Sequence, residues 1–128
     1  MSPGSVLIVD DNEDLAENLG EVLSDEGYEC AIAHCGNAAI ARLRESDFDL
    51  VITDLRMSPG DGLAVVEAVR QRSATTPIVV MTAFAGELHI DTAQRAGVTT
   101  VVAKPVDPGK LIQLVRGQLD REPAGGVP

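Results

Sequence analysis

Short apolar runs recur along the chain, and between them lie segments whose apolar residues fall three and four positions apart. The runs "VLIVDD" (6–11), "YECAIA" (28–33), "FDLVITD" (48–54), "TPIVVMTA" (76–83) and "VTTVVAK" (98–104) predict strands. Segment 12–27 predicts a helix with Leu15, Leu19, Val22 and Leu23 inward and Gly27 as its C-terminal cap. A second helix is predicted over 36–46, with Ala39, Ile40 and Leu43 on one face, and a third over 63–72, with Val65, Val66 and Val69 inward. The stretch "LRMSPGDG" between the third strand and third helix reads as a loop, rich in Gly and Pro. A fourth helix over 86–97 has the weakest apolar stripe. A fifth begins near Pro108 and turns Leu111, Leu114, Val115 and Leu119 inward.

The strands are almost continuously apolar rather than alternating, as strands covered on both faces require. Strands alternating with helices then predict an α/β fold: a five-stranded parallel sheet with five helices on both faces. Right-handed crossovers leave few topologies, and the common small solution is the flavodoxin-like (βα)5 arrangement with strand order 2-1-3-4-5. One domain is expected over 1–121, with 122–128 ("EPAGGVP") as a linker start or terminal tail.

Composition narrows the picture. The chain has no Trp, one Tyr and two Phe, so the core must be built from Ala, Val, Ile and Leu. No apolar run approaches the ~18 residues a membrane span needs, and "MSPGSVLIVDD" lacks the basic region of a secretory signal. A cytoplasmic location and no membrane partner are the expectation. The net charge of −10 argues against direct nucleic-acid binding by this domain. Residues 1–41 hold nine Asp or Glu and no Lys or Arg, a pattern fitting a solvated acidic face, a cation site or a basic partner. Cys30 and Cys35 match no metal or redox spacing and are expected to be reduced and structural. His34 and His89 read as isolated surface residues.

In an open parallel sheet, ligands bind beyond the carboxyl ends of the strands, where the strand order reverses. Here those ends carry Asp10 and Asp11, Asp54, Thr82 and Lys104. Clustered carboxylates repel one another, and a divalent cation relieves that repulsion. Oxygen-only ligands favour Mg²⁺, with Mn²⁺ or Ca²⁺ as alternatives. Lys104 would balance the carboxylates at rest and meet a phosphoryl oxygen when one arrives, and the Thr82 hydroxyl would donate to another. An aspartate in such a setting can act as a nucleophile and form an aspartyl phosphate. Pro105 would fix the turn that aims Lys104, a turn suited to a cis bond. Each residue alone has an ordinary reading: Asp11 as a helix cap, Thr82 as a strand residue, Lys104 as a surface charge.

Together, "VLIVDDNED", "DLVITDLRMSPGDGL", "PIVVMTA" and "AGVTTVVAKPVD" resemble the receiver domain of two-component response regulators, over about residues 5–120. The resemblance implies that Asp10 and Asp11 belong to the Mg²⁺ site, with Asp11 the more direct ligand. It implies Asp54 as phosphoacceptor, the Arg56 backbone carbonyl as a further metal ligand, and Thr82 and Lys104 as phosphate-contacting residues. A histidine kinase or phosphotransfer protein would donate the phosphoryl group. The face of the fourth helix, fifth strand and fifth helix would then control an output domain or partner, with homodimer formation as one outcome. Two positions depart from the family pattern. Val101 stands where an aromatic switch residue is usual, which turns attention to Thr82 and Phe84 as switch elements. Ser58 stands where a loop proline is usual, and Pro59 follows. Competing readings are a Mg²⁺-dependent phosphatase or phosphotransferase with an Asp nucleophile, and a degenerate receiver acting as a constitutive binding module. The first usually needs a second acid two residues past the nucleophile, where this chain has Arg56.

Overall fold

Val, Ile and Leu crowd the central strands because a strand covered on both faces has no solvent side for a polar residue. The computed structural model describes residues 4–55, 62–83, 91 and 94–119. In chain order it contains β1 (Ser5–Val9), α1 (Glu13–Asp25), β2 (Glu29–Ala33), α2 (Gly36–Glu45), β3 (Leu50–Asp54), α3 (Gly62–Arg72), β4 (Ile78–Thr82), β5 (Thr100–Ala103) and α4 (Pro108–Leu119). All strand pairings are parallel and the order is β2-β1-β3-β4-β5, as expected. Of the fourth predicted helix, only Asp91, Gln94 and Arg95 are described as helical, so four complete helices stand among the described residues rather than five. The tail 122–128 lies outside the described residues. No described helix is long and apolar enough to cross a membrane.

Alternate strand residues feed two cores. Leu7, Val51 and Val80 pack with Leu43 of α2 and Val65, Val66 and Val69 of α3 on one face. Val6, Ile8, Leu50, Ile52 and Met81 pack with Leu19 and Leu23 of α1 and Leu111 and Val115 of α4 on the other. The inward stripes differ from expectation in detail. On α1, Ala16 and Gly20 are buried while Leu15 and Val22 are half-buried. On α2, Ile40 is half-buried, and on α4 Leu114 and Leu119 flank the core rather than fill it. Ala16 and Gly20 let the helix lie close to the sheet between Leu19 and Leu23, and Leu15 and Val22 fall on the margins of the stripe.

Helix ends follow local chemistry. Asn12, not Asp11, caps α1: its side chain accepts from the Leu15 N–H at 3.1 Å. Gly27 follows the C-cap with φ +98°, a left-handed conformation that glycine adopts without steric cost. At α4, the Asp107 carboxylate accepts from the Gly109 N–H at 2.9 Å, beside Pro108 at the first helical position. Cys30 and Cys35 are free thiols, and the Cys35 Sγ accepts from the Ala38 N–H at the start of α2.

Each observed strand is shorter than the apolar run that predicted it, and β1 stops at Val9. The consequence is functional: Asp10 and Asp11 lie just past the ladder, where the backbone can aim them independently.

Ile52, fully buried at the centre of the sheet, sets a stability test. Ile52→Ala should cost about 2–5 kcal/mol in urea denaturation, and Ile40→Ala on the half-buried margin of α2 clearly less.

Candidate functional site

The β1–β3–β4–β5 order brings four chain-distant residues to one edge of the sheet. Val9 pairs with Thr53 and Asp54 with Met81, so Asp10, Asp54 and Thr82 emerge side by side. Thr82 pairs with Ala103, and the Thr82 carbonyl accepts the Lys104 N–H at 2.8 Å. The Lys104–Pro105 peptide bond is cis, as the sequence suggested.

Lys104 Nζ donates to Asp10 Oδ2 at 2.8 Å and to Asp54 Oδ2 at 3.0 Å. Asp10 is fully buried, Asp54 is 6% exposed and Thr82 is 1% exposed. Burial alone would push the Lys104 ammonium down. Its hydrogen bonds to Asp10 and Asp54, with their charges, outweigh burial and hold it above the ordinary lysine value. Lys104 is therefore charged at neutral pH, and Asp10 and Asp54 are the anion partners that its place at the end of an apolar run demands.

Asp10 is held from several sides. Its Oδ1 accepts the Asn12 N–H at 2.9 Å, its own N–H donates to the Ala33 carbonyl at 3.1 Å, and its carbonyl accepts from His34 Nδ1 at 3.3 Å. Asp11 is exposed, and with Asn12 capping α1 its carboxylate is not engaged there. One ligand oxygen from each of Asp10, Asp11 and Asp54 lies within 4.8 Å of the others. An all-oxygen set with one exposed member suits a hard divalent ion that keeps part of its water shell, which fits Mg²⁺ or Mn²⁺. The set is oriented with Asp10 as the anchored carboxylate and Asp11 as the open one.

Gly62 fixes how α3 meets this edge. Its N–H donates to the Leu55 carbonyl at 3.1 Å, and a Cβ built on it would lie 2.0 Å from the Asp54 carbonyl oxygen. Only glycine lets the start of α3 sit against the backbone that carries Asp54.

Comparison with known proteins agrees with this geometry. The family model for the response regulator receiver domain matches residues 6–116. The chain belongs to the response regulator receiver family. A response regulator receiver protein of Anaeromyxobacter is 40% identical over 108 residues, which cover 84% of this chain and 45% of that protein. The DNA-binding response regulator MtrA of Mycolicibacterium smegmatis is 36% identical over 93% of this chain and 53% of its own length. This receiver domain thus spans about half the length of these relatives or less. A CheY-like receiver domain protein from Methanospirillum hungatei superposes with a TM-score of 0.86 at 25% identity, covering 91% of this chain and 93% of its own.

Within this receiver domain, the structure brings Asp10, Asp11, Asp54 and Lys104 together and places Thr82 beside them. Arg56, Ser58, Pro59 and Phe84 lie outside the described residues. Val101 is half-buried and packs against the core on the α2–α3 face of the sheet. Sequence reading missed His34 and Gly62. His34 is neither isolated nor merely on the surface: it is half-buried and holds the Asp10 backbone. Pairing of Val9 with Ala33 puts the next residues of both strands side by side, so strand register was the signal for His34. Nothing in the sequence pattern singled out Gly62, whose role depends on a close approach in three dimensions.

Two outcomes follow for the site. Because Lys104 binds its proton more tightly when folded, its stabilisation is fully present below the ordinary value of 10.5 and is lost as pH rises through the higher folded value. The urea stability gap between wild type and Lys104→Met should therefore hold constant through neutral pH and close only above 10.5. Gly62→Ala should lower stability by about 1–3 kcal/mol and shift the amide resonances of Asp54 and Leu55, because the added methyl forces α3 off the strand end.

Proposed function

We propose that this receiver domain accepts a phosphoryl group on Asp54 in a Mg²⁺-dependent reaction and passes the event to an output through the face of the fourth predicted helix, β5 and α4. The observation that carries this reading is the Asp54 carboxylate itself, nearly buried, held by Lys104, and sharing its edge with Asp10 and Asp11.

An Asp54 carboxylate oxygen attacks the phosphorus of a phosphohistidine on the donor kinase or phosphotransfer protein. The new O–P bond forms as the P–N bond to the donor imidazole breaks, and the leaving imidazole takes its proton from solvent. A divalent ion held by Asp10, Asp11 and Asp54, together with the Arg56 carbonyl, would supply positive charge to the oxygens of the transferring group. Lys104 holds the Asp54 carboxylate in one orientation at rest, and its ammonium meets a phosphoryl oxygen afterwards. The Thr82 hydroxyl donates to another phosphoryl oxygen and draws the segment behind β4 with it. Transfer to Asp54 and later loss of the phosphoryl group are assisted by the domain's own residues, which makes it a signalling module rather than an enzyme with an external product.

With valine at 101, no aromatic side chain swings inward on β5. Thr82, with Phe84 two residues on, carries the switch instead. A switch of this kind works by biasing two arrangements of that segment. The output is a further domain or a separate partner, including the DNA-binding type named for the mycobacterial relative, and phosphorylation-dependent homodimers are one means of control. The net charge of −10 assigns nucleic-acid contact to that output and not to this domain.

Intact mass after incubation with acetyl phosphate and Mg²⁺ tests the reaction. Wild type should gain one phosphoryl group and Asp54→Asn none, and labelling that survives in Asp54→Asn sinks the assignment. Hydrogen exchange should change most over residues 83–96 on phosphorylation. That change should vanish in Thr82→Ala even where Asp54 is still labelled.

A further inference from the structure

We propose a second metal site, built from Glu13, Glu17 and His34 and suited to a borderline transition ion such as Zn²⁺. It uses none of the carboxylates of the acidic pocket. Glu13 and Glu17 stand one helical turn apart on the exposed face of α1, and His34 follows the last residue of β2. One ligand atom from each lies within 4.8 Å of the others, a spread that a single ion can bridge.

The histidine is set up for ligation. Its Nδ1 lies 3.3 Å from the Asp10 carbonyl oxygen, which can only accept, so the proton is on Nδ1 and the lone pair is on Nε2. An imidazole that donates one ring N–H to a backbone carbonyl, fixing its tautomer and ring plane, is the usual arrangement behind a metal-binding histidine. Half-burial restricts the ring further.

The charge balance points the same way. Two carboxylates at i and i+4 on a helix repel each other. No Lys or Arg occurs in residues 1–41 to offset them, and among the described residues neither Glu13 nor Glu17 has an ion pair. Donor chemistry separates the two sites. The acidic pocket offers oxygen alone and suits Mg²⁺, whereas an imidazole with two carboxylates favours Zn²⁺ or its neighbours. Three protein ligands leave a fourth position of a tetrahedral ion open to water.

Calorimetric titration with Zn²⁺ in saturating Mg²⁺ tests the site, since Mg²⁺ then fills the acidic pocket. Wild type should bind one Zn²⁺. His34→Ala and Glu17→Gln should each weaken that binding by about tenfold or more. Asp11→Asn should leave it unchanged. In the ¹⁵N spectrum, the His34 Nε2 resonance should shift on Zn²⁺ addition. Glu17 is exposed, so Glu17→Gln decides the matter even if His34→Ala disturbs the Asp10 backbone. Zn²⁺ binding that survives Glu17→Gln at full strength, or that disappears in Asp11→Asn, overturns the proposal.

Discussion

One ammonium group holds the functional edge together. Lys104 joins carboxylates from the ends of β1 and β3, and without it two buried acidic side chains would face each other with a third, exposed one beside them. Taking charges out of water is costly unless they are paired and further hydrogen-bonded. Asp10 meets that condition fully, with Lys104 on one oxygen and the Asn12 N–H on the other. The rest of the fold serves this pairing: parallel strands deliver the residues, the cis peptide at Pro105 turns the chain behind Lys104, and Gly62 lets α3 close against Asp54. The site is therefore a balance of charges held by a rigid frame. An arriving phosphoryl group would compete for the same ammonium.

That balance explains why so much of the site could be read from the chain. A parallel sheet places every strand end on one edge, so finding the strands locates the chemistry. Asp54, Thr82 and Lys104 each close an apolar run, and the hydrophobic pattern delimits those runs clearly. What the pattern could not deliver depends on exact placement. Asp11 and Asn12 are both good caps, and only the backbone path past Val9 gives the role to Asn12 and leaves Asp11 open. Leu15 and Ala16 both lie near the α1 stripe, and the close approach of helix to sheet selects the smaller one for burial. His34 looked like a lone polar residue until strand register set it beside Asp10.

His34 also changes how the acidic pocket is bounded. It braces the Asp10 backbone from the β2 side while Asn12 braces the carboxylate from the α1 side. The aspartate nearest the core is thus fixed by neighbours on two elements, while Asp11 keeps its exposure. This division leaves one carboxylate anchored and one open to solvent.

The contacts of Lys104 are also far apart in the chain: 94 residues separate it from Asp10 and 50 from Asp54. A ribosome makes the acidic end first, and the first 41 residues carry nine acids and no basic residue. At typical synthesis rates the counter-charge follows Asp10 by roughly 5–20 s. Those first 41 residues emerge as a negative segment; arginines follow from Arg42 on, but the ammonium that joins Asp10 to Asp54 comes later still. The edge that carries Asp10 and Asp54 is thus completed only after β5 has been made. A chain cut short between β4 and β5 would keep Asp10, Asp11 and Asp54 but lack the cation that joins two of them.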